Sequence, residues 1–309
     1  MLYHLNPNAQ ALFKANAVPA VHSTFLDYLK TLSADRKLMP SQIFKDEAAK
    51  KSPLMWRALE QVVRHICDGP EQGAKILPAL RLFMNDYFVS NPQAAQQQFE
   101  HDCLEKLREL VPDFEARLQS KLVGGPAGAG GRSGLIFSQI SPYLLGGTVL
   151  DIGAGDGKVG ELAESRLGKF VRLVDVLDYN TSALPLDIYD GVRLPYSDKQ
   201  FDTSIASVVF HHADRPLDVL SETIRVTNKR IVVIESVYFN DEHRQLNAVL
   251  DWFYNRVLHS NVNCPFNFQT PWGWEETFRS HGLKISASVD LGIDQPLAPE
   301  YHWLFALDL

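Results

Sequence analysis

Cysteine is scarce in this sequence, and its scarcity excludes several kinds of site. The three cysteines, Cys67, Cys103 and Cys264, lie far apart and form no CxxC pair. This spacing argues against a disulfide framework and a zinc knuckle, so we expect no metal centre. Apolar runs are also short, because none approaches the roughly 18 residues of a membrane span, and the N-terminus has no signal-peptide pattern. We therefore expect a cytoplasmic protein with no membrane partner.

Positive charge is not in excess either. The 309 residues include 30 Lys and Arg against 37 Asp and Glu, which gives a formal net charge of -7. Residues 1–123 hold 15 basic and 14 acidic residues, a net charge of +1, and residues 124–309 hold 15 and 23, a net charge of -8. Because a nucleic-acid binder neutralises phosphates with a basic face, we expect no nucleic-acid partner.

Residues 1–123 are predicted to form a helical N-terminal domain. Apolar residues recur at helical spacing from Leu54 to Ile66 and from Phe99 to Leu118. Prolines cut this segment into short pieces, and Pro112 is expected to kink or divide the last helix. The glycine-rich residues 124–134 follow. We interpret them as a flexible linker, with a mobile lid or a nucleotide loop as the alternatives.

After residue 134 the pattern changes to short β-rich runs that alternate with helical stretches. This alternation predicts a mostly parallel sheet that is covered by helices on both faces. Only a loop separates the last two runs, which permits an antiparallel hairpin at the sheet edge. The predicted strands are Thr148–Leu150, Phe170–Val174, Thr203–Val209, Arg230–Ser236, Leu283–Val289 and Trp303–Leu307. The predicted helices lie near residues 135–144, 157–167, 215–226, 242–258 and 272–281.

A glycine-rich turn follows the first of these strands. Asp151 stands at the strand end, and Gly153, Gly155 and Gly157 then open a helix. Glycines permit a tight turn and let a ligand approach the backbone closely, and the helix N-terminus offers free N–H groups. Asp175 ends the next strand, where its carboxylate can accept hydrogen bonds from the ribose hydroxyls of an adenosine ligand.

Two cofactors fit such a turn. Gly155, Gly157 and Gly160 match the GxGxxG fingerprint of dinucleotide binding. In that fingerprint the first glycine follows the strand almost directly and leaves room for a pyrophosphate. The anionic Asp151 is unfavourable beside a pyrophosphate, whereas it suits a ligand that carries an ammonium and a sulfonium. We therefore predict S-adenosylmethionine as the cofactor, with NAD as the alternative.

The turn resembles the first motif of class I S-adenosylmethionine-dependent methyltransferases, of the type-11 group. The resemblance continues through Asp190-Gly191-Val192-Arg193-Leu194-Pro195-Tyr196, then Phe201-Asp202, then Val209-Phe210-His211-His212. It covers about residues 135–309 and identifies them as a methyltransferase domain. The fold that it implies is a Rossmann-like sheet of seven strands, mostly parallel, with an antiparallel edge strand.

The resemblance also implies roles for individual residues. Asp151 orients the turn and the ammonium group, Asp190 binds the adenine amino group, and Ser207 offers backbone to the methionine end. Asp175 binds the ribose, with Asp178 as the fallback. The cofactor-binding residues predicted in this way are Asp151, Gly153, Gly155, Gly157, Asp175, Asp190, Gly191 and Ser207.

His211 and His212 are the candidate catalytic residues, because they follow the fourth strand, where class I enzymes face the methyl group. A hydroxyl or phenol acceptor needs a base close to the reacting atom. The alternative is a structural histidine that caps the following turn. Glu235 and His243 are further candidate bases, and the sequence does not rank the four residues.

Aromatic residues are concentrated after the fifth strand, where this fold places an insertion over the acceptor. A flat or apolar acceptor suits such a lining, and packing in the core is the alternative. The candidate substrate-binding residues are Trp252, Phe266, Phe268 and Trp272.

The sequence thus predicts in-line transfer of a methyl group to oxygen or nitrogen of a small apolar or aromatic molecule. The alternatives are an NAD-dependent oxidoreductase and a non-catalytic, methyltransferase-like scaffold. We interpret residues 1–123 as a substrate-recognition cap, and the alternatives for them are a homodimer interface or a cover for the cofactor.

Overall fold

The computed structural model of the protein describes residues 53–67, 70–122, 131–239, 241–258, 262–292 and 300–309. The chain divides into two compact units. The first comprises Met1–Val123, Tyr238–Phe266 and Gln295–Glu300, and the second comprises Gly124–Val237, Asn267–Asp294 and Tyr301–Leu309. Residues 124–130 of the predicted linker lie outside the described residues.

The part of the first unit that the structure describes begins with helices that bury one apolar face each. Trp56, Leu59 and Val63 are buried, as their helical spacing predicts. The third helix ends at Leu110 and the fourth begins at Phe114, so Pro112 divides the predicted helix. None of the described helices is both long and apolar enough to cross a membrane. These helices are α1 (Pro53–Ile66), α2 (Pro70–Ser90), α3 (Gln96–Leu110) and α4 (Phe114–Leu122).

From residue 131 onward the described chain alternates between strands and helices, as predicted. The helices are α5 (Arg132–Ile140), α6 (Lys158–Leu167), α7 (Pro216–Val226), α8 (Asp241–Trp252) and α9 (Pro271–Ser280). The strands are β1 (Thr148–Ile152), β2 (Phe170–Asp175), β3 (Leu186–Ile188), β4 (Phe201–Ser207), β5 (Thr227–Val237), β6 (Lys284–Gly292) and β7 (Tyr301–Asp308).

The second unit contains one sheet of seven strands in the order β3-β2-β1-β4-β5-β7-β6. Strands β1 to β5 pair in parallel, whereas β7 is antiparallel to both β5 and β6. The predicted fold class is therefore confirmed, and the reversed strand lies one place in from the edge. The order reverses between β1 and β4, and ligands bind at such a switch point in open α/β sheets.

Helices cover both faces of the sheet, which explains why its strands read as continuous apolar runs. Val149 and Leu150 are adjacent on β1 and point to opposite faces. Val149 packs in a core cluster with Ile140 and Ala163, and Leu150 packs in a second cluster on the other face. Burial on both sides fixes the register, so the carboxyl ends of β1, β2 and β4 meet at one edge.

Helix α8 lies where the sequence predicts a helix, but it belongs to the first unit and not to the predicted methyltransferase domain. The Trp252 ring stacks on Phe99 at 6.2 Å between centroids, and its indole nitrogen donates to Glu100 at 2.9 Å. A π-helical turn, Phe253–Leu258, extends α8, and Arg256 within it forms an ion pair with Glu100 at 2.9 Å. Residues 238–266 thus share their interior with the helices of residues 53–122.

Candidate active site

The turn after β1 needs glycine for two different reasons. Gly153 and Gly155 both have a positive φ, of 63° and 54°. A side chain at Gly153 would meet the Val209 side chain at 2.6 Å, whereas a side chain at Gly155 would project into open space. The amide of Gly153 donates to the carbonyl of Val174 at 2.8 Å, which ties the turn to β2. The backbone at Gly155 is therefore open to a ligand.

Asp151, in β1 beside this turn, is a buried acid with an exposed fraction of 3%. Burial, together with the carboxylates of Asp175 and Asp156, raises its pKa to about 7. The amide of Gly160 faces the carboxylate and lowers this pKa only in part. Oδ2 accepts no hydrogen bond of normal geometry from the described residues. A buried carboxylate in these surroundings favours a cationic ligand, which would stabilise its charged form.

Asp175 ends β2 and holds the glycine turn in place. Its Oδ2 accepts from the amide of Gly155 at 2.9 Å, and its Oδ1 accepts from the amides of Val176 and Leu177 at 2.7 and 3.3 Å. Asp178, the predicted fallback, is exposed and accepts from the amide of Asn180 at 3.3 Å. Of these two candidates for the ribose role, Asp175 is thus the one that contacts the turn.

Asp190 follows β3, the strand that pairs with β2 in the sheet. Its Oδ1 accepts from the amides of Val192 and Arg193 at 2.8 and 2.9 Å, and these two bonds hold the pKa of Asp190 below its ordinary value. Gly191 has a φ of 76°, which lets the chain turn tightly after Asp190. The side chain is exposed and remains anionic at neutral pH. The three predicted carboxylates therefore stand in or directly after three neighbouring strands.

Backbone strain marks the end of β4. Val208 has a φ of 61°, although a β-branched residue rarely adopts this region. Its amide donates to the carbonyl of Ile234 on β5 at 2.7 Å. The hydroxyl of Ser207, one residue earlier, is buried and has no hydrogen-bond partner among the described residues. Such strain persists only where the surroundings impose it, and it is concentrated at functional sites.

Glu235 on β5 holds the loop that follows Val208. Its Oε1 accepts from the amides of Val209 and Phe210 at 3.1 and 2.7 Å, and its Oε2 lies 2.6 Å from Nδ1 of His211. Burial raises the pKa of Glu235 to about 7, although these amides and the imidazoles of His212 and His302 oppose the shift. The carboxyl thus joins three groups of the loop after β4 to β5.

The two candidate histidines have different environments. His211 is fully buried between Glu235 and the Phe268 ring, whose centroid lies 4.7 Å from its own. His212 is half-buried, and its ring centroid lies 4.1 Å from that of His211. Only His212 has exposed surface. His243 belongs to the first unit and is buried, which lowers its pKa to about 4.

The four predicted substrate-binding residues are divided between the two units. Trp252 and Phe266 belong to the first unit, and Phe268 and Trp272 to the second. Trp252 is buried against Phe99, which is the packing alternative, and Phe268 packs on His211. Trp272 is 47% exposed.

A search against protein-family models gives one match, over residues 150–233, to a family described as methyltransferase domain. The match includes every predicted cofactor-binding residue and both candidate histidines. Residues 150–233 form a methyltransferase domain. No curated protein matches the chain.

Solved structures similar to this chain include several methyltransferases. A SAM-dependent methyltransferase from Aquifex aeolicus is 17% identical, with a TM-score of 0.41, over 55% of this chain and 87% of its own. One from Methanosarcina mazei is 15% identical, with a TM-score of 0.42, over 55% and 96%. A geranyl diphosphate methyltransferase is 15% identical, with a TM-score of 0.45, over 64% and 82%.

The site suits the cofactor of this family. The carboxylate of Asp151 has a buried oxygen without a partner among the described residues, as a ligand with an ammonium group requires. The backbone of Gly155 faces open space, so a ligand can approach it. A dinucleotide would place its pyrophosphate beside Asp151, and like charges would oppose that arrangement.

Proposed function

We propose that the protein transfers a methyl group from S-adenosylmethionine to an oxygen or nitrogen atom of a small apolar or aromatic molecule. The observation that carries this proposal is the pair between Glu235 of β5 and His211 of the loop after β4. It fixes His211 in the interior and leaves His212 as the histidine with exposed surface. The rest of the proposal concerns what each group of this site does.

The cofactor would be held at the ends of β1, β2 and β3. Asp151 would hold its ammonium group, Asp175 its ribose and Asp190 its adenine amino group, and the backbone around Gly155 would hold its methionine part. When bound, S-adenosylmethionine supplies a methyl group that its sulfonium centre activates. The residues contribute alignment, which accounts for much of the catalysis of a displacement reaction.

His212 takes the proton from the acceptor. An imidazole nitrogen with exposed surface can accept a proton from a hydroxyl, phenol or ammonium group at neutral pH. His211 cannot do so without moving, because it is fully buried and its Nδ1 is bonded to Glu235. We therefore assign His212 as the base and His211 as the residue that supports it.

The proposed class of acceptor follows from the net charge of residues 124–309 and from an exposed aromatic ring. Residues 124–309 have a net charge of -8, which disfavours an acceptor rich in phosphate. The exposed ring of Trp272 offers an apolar surface in the second unit, which also contains the glycine turn. A small neutral or aromatic acceptor suits both features. That the protein has no nucleic-acid partner and lies in the cytoplasm are further predictions from the sequence, which leaves a homodimer as an alternative.

Calorimetry and a turnover assay test the proposal. We expect S-adenosylmethionine and S-adenosylhomocysteine to bind, and NAD not to bind. A panel of phenols, amines and carboxylic acids should then contain a compound that drives release of S-adenosylhomocysteine. Binding of NAD without binding of the sulfonium ligand would overturn the proposal.

Single variants test the base. His212→Ala should lower kcat about 10²–10⁴-fold, the usual contribution of a general base, and leave the Tm unchanged. His101→Ala, an exposed histidine of α3, is the matched control and should retain wild-type turnover. If His212→Ala retains wild-type kcat, the assignment of the base is wrong.

A further inference from the structure

An ion pair on α7 reaches across to the segment that follows β3. Arg225 forms two bonds with Glu222 one helical turn earlier: Nε donates to Oε1 at 2.8 Å and Nη2 donates to Oε2 at 2.7 Å. Both side chains are largely buried, with exposed fractions of 21% and 19%. A two-point pair of this kind fixes the direction of both side chains.

The pair holds both backbone groups of one residue, Leu194. The amide of Leu194 donates to Oε2 of Glu222 at 3.0 Å, and its carbonyl accepts from Nη2 of Arg225 at 3.0 Å. Nη1 of Arg225 also donates to the carbonyl of Tyr196 at 2.7 Å and to Oδ1 of Asp198 at 2.9 Å. We call Glu222 and Arg225 together the α7 clamp.

The clamp acts on the segment that carries Asp190. Residues 190–193 are closed by the bonds from Oδ1 of Asp190 to the amides of Val192 and Arg193. Leu194 comes next, is 1% exposed and packs in the core. The exposed turn at Asp190 is therefore anchored one residue beyond its end.

Burial of Leu194 alone would anchor this point without fixing its rotation. Apolar packing is not directional, whereas hydrogen bonds to both the amide and the carbonyl of one residue set the orientation of its peptide planes. The orientation of Leu194 in turn determines where the closed turn presents the carboxylate of Asp190. A binding group held in this way by supporting hydrogen bonds is more selective than one on a free loop.

We propose that Glu222 and Arg225 are positioning residues that aim Asp190 at the adenine amino group and thereby set the selectivity for that group. This inference depends on the proposed function, in which Asp190 binds the adenine. It predicts that loss of the clamp weakens recognition of the adenine amino group and leaves the rest of cofactor binding largely intact.

The test compares two ligands by calorimetry. One is S-adenosylhomocysteine, and the other is its inosine analogue, in which a carbonyl oxygen replaces the 6-amino group of adenine. We expect the wild-type protein to prefer the amino ligand about tenfold or more, since a hydrogen bond to a charged group has this order of effect. Arg225→Gln should bind S-adenosylhomocysteine about tenfold more weakly and the analogue nearly as well as the wild type does.

Matched variants separate this role from a general structural role. Arg230 forms a comparable ion pair, in which its Nε lies 2.7 Å from Oδ1 of Asp308 and its side chain is 16% exposed. Arg230→Gln breaks this pair and should retain the wild-type preference for the amino ligand. Arg225→Lys keeps the charge but not the forked geometry, so it should restore part of the preference. In an Asp190→Ala background, Arg225→Gln should change the affinity for S-adenosylhomocysteine no further.

The outcomes are distinguishable. An equal weakening of both ligands by Arg225→Gln, or an unchanged preference, overturns the inference and leaves the proposed function intact. If the wild-type protein binds neither ligand, the proposed function itself fails. Circular dichroism verifies folding, and Glu222→Gln supplies the same comparison if Arg225→Gln does not fold.

Discussion

At the scale of single residues, Asp151 contributes to binding at a cost to the stability of the empty protein. Its pKa is about 7 in the folded chain, far above that of a carboxyl in an unfolded one. Between about pH 4 and 7 the folded state therefore binds more protons than the unfolded state, and stability falls as the pH rises through this range. Above pH 7 the whole cost is present.

Asp151→Asn should remove this cost. The free energy of unfolding of the empty variant at pH 8 should exceed that of the wild type by about 2–4 kcal/mol, and its decline between pH 4 and 7 should be smaller. Urea unfolding at several pH values measures both effects. The exposed Glu164→Gln on α6 is the control for lost charge. A variant as pH-dependent as the wild type would contradict the assignment of the buried charge to Asp151.

Asp175 gives a second prediction at this scale. Asp175→Ala should weaken binding of S-adenosylhomocysteine by roughly 1–3 kcal/mol, because it removes the proposed ribose acceptor and the acceptor of the Gly155 amide. Calorimetry measures the loss. Asp178→Ala should bind like the wild type, since that carboxylate is exposed in a loop. The opposite result for the two variants would transfer the ribose role to Asp178.

At the scale of elements, the sequence predicts the strands and helices whose apolar residues follow a regular pattern. The buried strands β1, β2, β4 and β5 contain apolar runs, and all of them were predicted within a few residues. Strand β3 was missed because it has three residues, none of them buried, and follows Pro185. The strained φ of Val208 was also missed, since a valine in an apolar run gives no signal of a positive φ.

The loop after β4 depends on one residue of β5. Glu235→Ala should lower the free energy of unfolding by about 3 kcal/mol, because the amides of Val209 and Phe210 lose their buried acceptor and Nδ1 of His211 loses its buried partner. Urea denaturation measures this loss. Glu276→Ala, an exposed acid on α9, controls for charge and should change stability by less than about 0.5 kcal/mol. If both variants unfold at the same urea concentration, Glu235 does not hold the loop.

At the scale of the whole molecule, the sequence identifies the methyltransferase fold but not which unit each segment joins. The motifs lie on the turns of the sheet, where the chemistry requires particular residues at particular spacings. The aromatic residues after β5 fit either an acceptor site or a core, because both need apolar surface. The partners of Trp252 decide the matter, since Phe99 and Glu100 lie some 150 residues away in the chain. No local pattern contains that pairing.

Trp252→Ala tests this division directly. If Trp252 belongs to the interior of the first unit, the variant should lose about 3–5 kcal/mol of stability, the usual cost of removing a buried tryptophan. Binding of S-adenosylhomocysteine to the second unit should persist at temperatures where the protein is folded. Trp272→Ala, at an exposed ring, should leave the Tm within a few degrees of the wild type. An unchanged Tm for Trp252→Ala, together with a raised KM for the acceptor, would instead place Trp252 in the acceptor site.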